Sequence, residues 1–508
     1  MLPGGFLIDI GVAALDGFLL LFSAKALLYL MIGIFAGMFF GLVPGLSGLT
    51  GLGLLLPFAI GQPPDVAFAF LLGMFAVTTQ TDTIPAVLIG VPGTAAANAT
   101  YLDGFPMAKR GEAGRALSAS YFANILGTLV STVIFILFLP VLRALIDEFG
   151  APEYFVMALL GLVMAGSLAG RSLLRGLAMA AFGLLVSTVG FAQNTGFPRY
   201  DIGGWTYLWD GLPLVPLVLG MFAVPEVIDL LLRRGTIARA SMRAEGGVAA
   251  GFLDNMRHWW LLFRCSVIGT VCGMIPGLGG LVAEWLGYGH AVNSAKDKSM
   301  FGKGDVRGVI AAESATSAQK PGSVLPTVAF GIPGNAAMAV MLGVFFIVGL
   351  RPGPEMMHEK LDLTFLMVWI VVVANLIAAG LCLGLQRWMI LICFIRPTVL
   401  APLILAFMVV GASLATTHLG DVVVFAAFGA FGYLCRRADW PRVPFIIGMV
   451  LGQLAEIYLF ISVERYGFAF TYTRPIVILI ELLIFAALAM PLYRRFLGSP
   501  ARFAREAE

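Results

Sequence analysis

Charge is the scarcest property of this sequence. Only 12% of its 508 residues are Asp, Glu, Lys or Arg, whereas about a quarter of the residues of an average soluble domain are charged. The basic residues stand in short loops and form no patch that would bind nucleic acid. This composition excludes a soluble globular protein of average make-up, and it argues against a nucleic-acid partner.

Cysteine and histidine are also sparse, which removes the usual signs of an enzyme or a metalloprotein. Five cysteines and four histidines are scattered along the chain without a CxxC or HExxH motif. The GLSG at 45–48 lacks the spacing of a GxSxG nucleophile elbow. We therefore expect no catalytic residues and no cofactor, and we expect the cysteines to be small buried apolar residues.

Long apolar runs are what the sequence has in excess. It is 59% hydrophobic with a mean hydropathy of +0.94, and stretches long enough to cross about 30 Å of hydrocarbon recur throughout. We expect membrane spans near 4–22, 26–43, 116–140, 152–166, 172–192, 211–231, 259–275, 362–386, 391–410, 418–434, 442–462 and 474–492. The N-terminal span has no basic residue before it and is expected to be retained. The sequence predicts an all-α polytopic protein in the lipid bilayer, without a separate soluble domain.

Two further apolar regions, 44–102 and 276–350, are divided by Pro and Gly into pieces too short to cross a bilayer alone. These regions are candidates for broken or re-entrant helices. We take residues 1–232 as a first half with a broken-helix core at about 44–102, and 259–508 as a second half with a core at about 276–350. Residues 233–258 are expected to be a cytoplasmic linker.

The distribution of Lys and Arg predicts the topology. The basic loops 103–115, 233–257 and 436–442 and the C-terminal tail should all be cytoplasmic by the positive-inside rule. Four spans separate the first two loops, which agrees with a shared side, and counting back from 436–442 places loop 351–361 on the periplasmic side. The two halves are therefore expected to run in opposite directions, with both termini in the cytoplasm.

An internal repeat supports this prediction independently. GLVPGLSGL at 41–49 matches GMIPGLGGL at 273–281, an offset of 232 residues (41 to 273). TIPAVLIGVPG at 83–93 matches VLPTVAFGIPG at 324–334, an offset of 241 (83 to 324), and a polar insertion at 293–305 explains the difference. Inverted repeats with interrupted helices are the architecture of secondary transporters, whose site lies near the midplane where the breaks meet.

A Pro-Gly break frees backbone groups that hydrocarbon cannot satisfy. Amides at the start of a half-helix favour an anion, and carbonyls at its end suit a cation. The candidate substrate-binding residues are Ser47, Pro92, Gly93, Thr94, Asn98, Gly279, Lys320, Pro333, Gly334 and Asn335. The candidate ion-coupling residues are Gly45, Asp82, Thr83, Gly277, Glu313, Thr316 and Ser317, with a sodium ion expected near Gly45 and Gly277. The alternative is that the small and hydroxyl residues serve helix packing alone.

Ionisable residues inside apolar regions cost free energy, and they often mark functional sites. Asp82 and Lys320 stand at comparable places in the two copies, so that either the two side chains pair or Lys320 meets a substrate carboxylate. Glu456 and Glu481 are expected to contact another subunit or to reach the membrane surface.

The motifs carry a family resemblance. PGLSGLTGLGLLLPF, IPAVLIGVPGTAAANATYLDGFPMAKRGEAGRAL and LPTVAFGIPGNAAMAVMLGVFFIVGLRPGP resemble the large membrane subunit (TctA family) of the tripartite tricarboxylate transporters. The resemblance covers nearly the whole chain. It implies an elevator-like bacterial inner-membrane symporter that takes up citrate or a related tricarboxylate or dicarboxylate with sodium or protons. It also implies two partners, a small membrane subunit and a periplasmic solute-binding protein.

By the same resemblance, the Pro-Gly breaks of the family fall on Pro44-Gly45, Pro92-Gly93, Pro276-Gly277 and Pro333-Gly334, and the glutamate of its second-half motif falls on Glu313. The chain departs from the common pattern at Thr81-Asp82-Thr83, at Thr316-Ser317 and at Gln319-Lys320-Pro321-Gly322. The hypothesis that follows is that Asp82 and Lys320 supply fixed charges, with Lys320 taking over part of the electrostatic role of a sodium ion.

Three other function classes stay open at this point. A channel or uniporter for small organic anions would line a continuous pore with the same polar breaks. An intramembrane enzyme has little support because the chain has no recognisable catalytic motif. A scaffold subunit without transport activity is disfavoured by the paired broken helices.

Overall fold

The computed structural model describes residues 3–168, 172–192, 195–200, 205–232, 247–395 and 397–496. The chain forms two compact units that alternate along the sequence. Residues 1–147 and 213–434 make up the first unit, and residues 148–212 and 435–508 make up the second.

Helices dominate the described chain. The first unit begins with α1 (Pro3–Leu21), α2 (Ala24–Leu42), α3 (Gly48–Ala59), α4 (Pro64–Thr81), α5 (Thr83–Leu88), α6 (Asn98–Lys109) and α7 (Ala113–Asp147). The second unit then contributes α8 (Ala151–Leu168), α9 (Leu173–Ser187) and the strands β1 (Gly190–Phe191) and β2 (Pro198–Arg199). The first unit resumes with α10 (Leu214–Val218), α11 (Val224–Leu232), α12 (Val248–Arg257), α13 (Trp259–Met274), α14 (Gly279–Ser294), α15 (Val306–Phe330), α16 (Ala336–Ile347), α17 (Pro354–Met357), α18 (Leu361–Met389), α19 (Pro397–Ser413) and α20 (Leu419–Arg437). The second unit ends with α21 (Val443–Tyr466), α22 (Phe470–Thr473) and α23 (Pro475–Phe496).

These helices confirm a multi-pass, α-helical membrane protein. Seven helical stretches are long and apolar enough to cross a membrane: 24–42, 64–88, 113–147, 214–232, 361–394, 419–437 and 443–473. Each of the twelve expected spans falls on a helix. Within the described residues, the strands are limited to the small antiparallel pair of β1 and β2, in which Gly190 lies opposite Arg199 and Phe191 opposite Pro198. The five cysteines are free and buried, as expected.

Two expectations about broken segments were wrong. Residues 103–109, expected in a loop, belong to α6, because Asp103 on this helix accepts from the backbone N–H groups of Gly304 (2.8 Å) and Asp305 (2.9 Å). Residues 306–330, expected in pieces, form the continuous helix α15 through Pro321 and Pro326. Pro321 and Pro326 cannot donate to the carbonyls of Ser317 and Gly322, and α13 packs closely at this place, since a Cβ on Gly322 would lie 2.5 Å from Thr270 O.

Glycines set the close packing of two helix pairs. A Cβ on Gly37 would lie 2.2 Å from Met74 O, and one on Gly269 would lie 2.1 Å from Ala315 O. The residue numbers of Gly37 on α2 and Gly269 on α13 differ by 232, and those of Met74 on α4 and Ala315 on α15 differ by 241. These are the two offsets of the sequence repeat. Residue numbers rise together in both pairs, so α2 runs parallel to α4 and α13 runs parallel to α15. We call residues 24–109 the first segment and residues 259–347 the second segment.

Two of the basic regions that were expected to share a side, 103–115 and the described part of 233–257, contact each other at one end of the first unit. Arg115 at the start of α7 forms two hydrogen bonds with Asp254 on α12, at 2.6 and 2.9 Å. Arg110 donates to Lys303 O at 2.7 Å. Burial and the nearby Arg307 lower the pKa of His258, so the positive charge of this end comes from arginine and lysine. Residues 233–246 of the expected linker lie outside the described residues.

The second unit has its own core and its own ion pairs. Val156, Phe470, Val477 and Ile480 form a buried apolar cluster. Arg474 on α23 pairs with the buried Glu153 at 2.8 Å. Glu456, expected to contact another subunit or the membrane surface, instead pairs with Arg199 within this unit.

Candidate functional site

The glycine turns of the two segments have the same backbone geometry. Gly45 and Gly277 follow the first proline of each segment with φ of 101° and 87°, a region that side chains other than glycine rarely adopt. Gly90 follows the short helix α5 with φ of 76°, and Gly331 ends the long helix α15 with φ of 68°. A positive-φ glycine that closes a helix is a common C-terminal motif, so both breaks follow from local sequence.

Within each segment, the two turns touch through their backbones. A Cβ on Gly93 would lie 2.2 Å from Gly41 O, and one on Gly334 would lie 2.4 Å from Gly273 O. In the second segment, Gly277 N also donates to Gly334 O at 3.1 Å. The second Pro-Gly pair of each segment therefore packs against the helix end that lies just before the first Pro-Gly pair of the same segment.

Buried carboxylates join the two segments. Glu313 on α15 accepts from the hydroxyls of Thr83 and Thr100, both at 2.8 Å, and from Asn124 Nδ2 at 2.9 Å. Glu284 on α14 accepts from the backbone N–H groups of Ala99 (2.8 Å) and Thr100 (3.1 Å) at the start of α6. An acidic side chain at a helix N-terminus is stabilised by the orphan amides and the helix dipole. Of these residues, Glu313 and Thr83 were expected at the site, whereas Asn124 was not.

Asp82 and Lys320 are not paired. Thr94 donates its hydroxyl hydrogen to Asp82 Oδ2, and Lys320 Nζ donates to Ala76 O and Thr79 Oγ1. The 241-residue offset makes Thr79 the counterpart of Lys320, so the expectation that Asp82 is its counterpart was wrong by three residues, nearly one helical turn. Asp82 Oδ1 is buried, and no hydrogen-bond partner for it is found among the described residues.

The start of α3 is capped by charge from a distant helix. Ser47 Oγ accepts from Thr50 N at 3.2 Å. Glu226 on α11 accepts from Ser47 N at 2.9 Å and also from the Thr50 hydroxyl. Glu226 was missed at the sequence level. The sequence did contain a sign of its role, because Glu226 and Asp229 are the two acidic residues of the otherwise apolar run 211–231.

The corresponding start of α14 is open. Gly279, the first residue of α14, stands where the first segment has the N-cap residue Ser47, and the N-cap residue of α14, Leu278, makes no side-chain hydrogen bond to the helix start. A Cβ on Gly280 would approach Thr316 Cγ2 at 3.6 Å and Gln319 Oε1 at 3.9 Å, which is ordinary van der Waals distance. Gln319 is only 1% exposed, and its Nε2 has no hydrogen-bond partner in the part of the chain that the structure describes. A buried amide donor and an uncapped helix start therefore lie side by side.

The remaining candidate residues make local hydrogen bonds within or between helices. Their roles in substrate or ion binding stay predictions. Thr94 and Asn335 are matched N-caps: Thr94 Oγ1 accepts from Ala96 N at 3.2 Å, and Asn335 Oδ1 accepts from Met338 N at 2.9 Å. Thr316 donates to Ala312 O at 2.9 Å, and Ser317 Oγ accepts from Thr128 at 3.2 Å. Asn98 begins α6.

The sodium site expected near Gly45 and Gly277 also stays a prediction. The described residues contain no cluster of three or more His, Cys, Asp or Glu side chains suited to a metal ion.

A polytopic helical bundle with paired, proline-interrupted helices around buried polar groups is the architecture of secondary transporters. The chain belongs to the tripartite tricarboxylate transporter TctA family, whose model matches residues 27–447. It is therefore a membrane component of that tripartite class, which is a transporter family rather than an enzyme family.

Two curated relatives come from Agrobacterium vitis. The "Uncharacterized 52.8 kDa protein in TAR-I ttuC' 3'region" is 29% identical over 433 residues, which cover 85% of this chain and 86% of the relative. The "Uncharacterized protein in TAR-II ttuC' 3'region" is 30% identical over 191 residues, 38% of this chain and 79% of the relative. No solved structure matches this chain.

Proposed function

We propose that this chain is the translocating subunit of an ion-coupled carboxylate uptake system of the bacterial inner membrane. The observation that carries the proposal is the uncapped start of α14, where the buried Gln319 Nε2 has no partner among the described residues. Orphan amides at a helix start favour an anion. A substrate carboxylate at this position would accept from those amides and from Gln319.

Contacts in the first unit support opposite orientations of the two segments. Helix α7 runs from Arg115 at the basic end to Asp147, which contacts His358 at 2.8 Å. Gly17 near the end of α1 packs against Asp362 O at the start of α18, close in sequence to His358. Helix α2 follows α1 and so starts at the end away from Arg115, whereas α13 and α15 start at the basic end. Inversion of this kind is what an elevator-like carrier requires, and it agrees with cytoplasmic basic loops.

For ion coupling, we keep the hypothesis that Lys320 takes over part of the electrostatic role of a sodium ion. Lys320 is 1% exposed, and its ammonium donates to a backbone carbonyl and a hydroxyl, two kinds of oxygen that can also bind a sodium ion. Uptake should be measured for Lys320→Ala and Asp82→Ala at several sodium concentrations. Wild-type rates and sodium dependence in both variants would overturn this part. Glu313 is the candidate coupling carboxylate.

The partners follow from the family. A tripartite system implies a small membrane subunit and a periplasmic solute-binding protein, and we propose that the latter delivers the carboxylate to this chain. Citrate or another tricarboxylate or dicarboxylate is the expected substrate class.

The test is uptake of radiolabelled carboxylates into proteoliposomes that contain this chain and the small membrane subunit. We expect Gln319→Ala to raise KM by about tenfold, the loss that corresponds to about 1.4 kcal/mol of binding. Gln453→Ala, which alters an exposed glutamine of the second unit, is the matched control and should leave KM unchanged. A wild-type KM in Gln319→Ala would contradict the site, and uptake that never exceeds the imposed ion gradient would favour a channel or uniporter.

A further inference from the structure

The starts of α3 and α14 occupy the same place in the two segments but hold different groups. Ser47 and Gly279 are related by the 232-residue offset of the repeat. At the start of α3, the Glu226 carboxylate accepts from Ser47 N (2.9 Å) and from the Thr50 hydroxyl. At the start of α14, no side-chain cap is present, and Gln319 Nε2 lacks a partner among the described residues.

Glu226 has the position that a bound anion would have. It reaches α3 from α11, 179 residues away along the chain, and it is 7% exposed. A carboxylate inside an apolar region is costly unless it finds partners, and the start of a helix offers amides with a favourable dipole. The contacts of Glu226 are therefore those of a carboxylate ligand at an anion-binding helix terminus.

We propose that Glu226 is a built-in anion that permanently fills the helix start of the first segment, so that the protein binds its substrate through a single carboxylate at α14. The second half of this statement rests on the proposed function. The first half concerns the folded protein alone.

The charges around α14 argue against a second substrate carboxylate in the same place. Asp82, Glu284 and Glu313 are each at most 2% exposed, and none of these acidic side chains offers a positive charge to a second substrate carboxylate. Lys320 is the one buried lysine or arginine in the described chain, and it already donates to Ala76 O and Thr79. A substrate bound at α14 therefore finds one helix start that can bind a carboxylate, and the other side chains around it are neutral or acidic.

The built-in anion can be deleted and replaced. In Glu226→Ala, thermal unfolding of the detergent-purified protein should begin at a lower temperature, and sodium formate should restore most of the loss. Formate is the probe because it has the size of the deleted carboxylate group. Sodium chloride of equal concentration should not restore stability. Wild type and Glu359→Ala, which removes an exposed carboxylate, should unfold at the same temperature in both salts.

Two results would overturn the assignment of Glu226. One is a wild-type melting temperature for Glu226→Ala in chloride, and the other is an equal gain from formate in all three proteins. Glu226→Gln covers the case in which the alanine variant does not fold, because it keeps the volume and an acceptor oxygen but loses the charge. The proposal requires a lower melting temperature for Glu226→Gln than for wild type, and equality contradicts it.

The single-carboxylate claim is tested by competition for uptake. The diacid that inhibits best among malonate, succinate and glutarate is compared with its own monoamide. We expect inhibition constants within about threefold of each other, whereas a loss of more than about tenfold on forming the monoamide would overturn the claim. The formate experiment involves no transport, so it can fail while the Gln319 experiment succeeds, and the reverse.

Discussion

The first and second segments share a backbone but differ in the groups that the backbone holds. Both have glycine turns with positive φ at matched positions. In both, the second Pro-Gly pair packs against the first helix of the segment, α2 or α13. Yet α3 starts at Ser47 with the Glu226 carboxylate upon it, whereas α14 starts at Gly279 with no side-chain cap. The comparison teaches that two segments with matching sequence can share a backbone shape while a side chain covers one helix start and leaves the other uncapped.

The largest effect should come from the glycines that hold the two turns together. Gly93→Ala and Gly334→Ala would each place a Cβ within 2.4 Å of a backbone oxygen, Gly41 O or Gly273 O respectively. Neither oxygen belongs to a flexible side chain, so we expect loss of folded, monodisperse protein in both variants. Size-exclusion chromatography after detergent extraction checks this. If only one variant fails, the two turns are not equivalent.

Next in size is the removal of the carboxylate that joins the segments. Glu313→Ala leaves the donors of Thr83, Thr100 and Asn124 without an acceptor, at a cost of about 1–3 kcal/mol for each buried group. We expect a large drop in melting temperature.

Glu313→Gln is the matched variant and should unfold close to wild type. Its Oε1 still accepts from the two hydroxyls, and Asn124 Oδ1, which has no partner among the described residues, can turn to accept from the new amide. If Glu313 carries the coupling ion, the folded glutamine variant loses ion-dependent uptake. Equal melting temperatures for the alanine and glutamine variants would contradict the hydrogen-bonding account.

A smaller and more selective effect should separate the two helix starts. Gly280→Ala meets nothing closer than 3.6 Å, so the protein should fold with a wild-type melting temperature. The added methyl group lies at the open start of α14, and we expect weaker carboxylate binding, measured as a raised KM for uptake.

Gly48→Ala is the same change at the matching position of α3. There the new Cβ lies 3.1 Å from Thr78 Oγ1, a side-chain atom that can shift. Because Glu226 already fills this helix start, we expect a slightly lower melting temperature and an unchanged KM. The comparison fails if Gly48→Ala raises KM as much as Gly280→Ala does.

The smallest effect is expected far from both segments. Arg199→Gln removes the ion pair with Glu456 in the second unit, where the side chains are 29% and 16% exposed. Partly exposed pairs contribute about 0–1 kcal/mol, so the free energy of unfolding should fall by no more than that, with uptake unchanged. Thermal unfolding and uptake together check it. Lost uptake at full stability would give Arg199 a role outside this account.

The sequence was sufficient for the features that depend on local chemistry. Apolar length predicted the helices, and Pro-Gly pairs predicted the turns at Gly45 and Gly277. At the second break of each segment the positive φ falls on Gly90 and Gly331, three residues before Gly93 and Gly334, the glycines of the Pro-Gly pairs. The sequence was misleading where tertiary partners overrule local signals. Pro321 and Pro326 lie within a continuous helix, which packs closely against α13 through Gly269, Gly273 and Gly322.

The sequence could not reveal contacts between distant residues. Glu226 looks like one acidic residue near the end of a span until α11 brings it to Ser47, 179 residues away. The 241-residue offset of the repeat already gives Thr79 as the counterpart of Lys320, but only the structure shows that the Lys320 ammonium donates to the Thr79 hydroxyl.

The close glycine contacts also say something about how such a chain changes over time. A duplicated segment is free to vary wherever side chains face a cavity, but it is fixed where two backbones touch. In the aligned segments, Gly37, Gly41 and Gly93 correspond to glycines at 269, 273 and 334. The polar residues differ: Ser47, Thr79, Asp82 and Thr94 correspond to Gly279, Lys320, Ser323 and Asn335. The glycines at close backbone contacts are therefore the positions by which the two segments can be aligned. The polar residues between them are the positions at which the two segments differ.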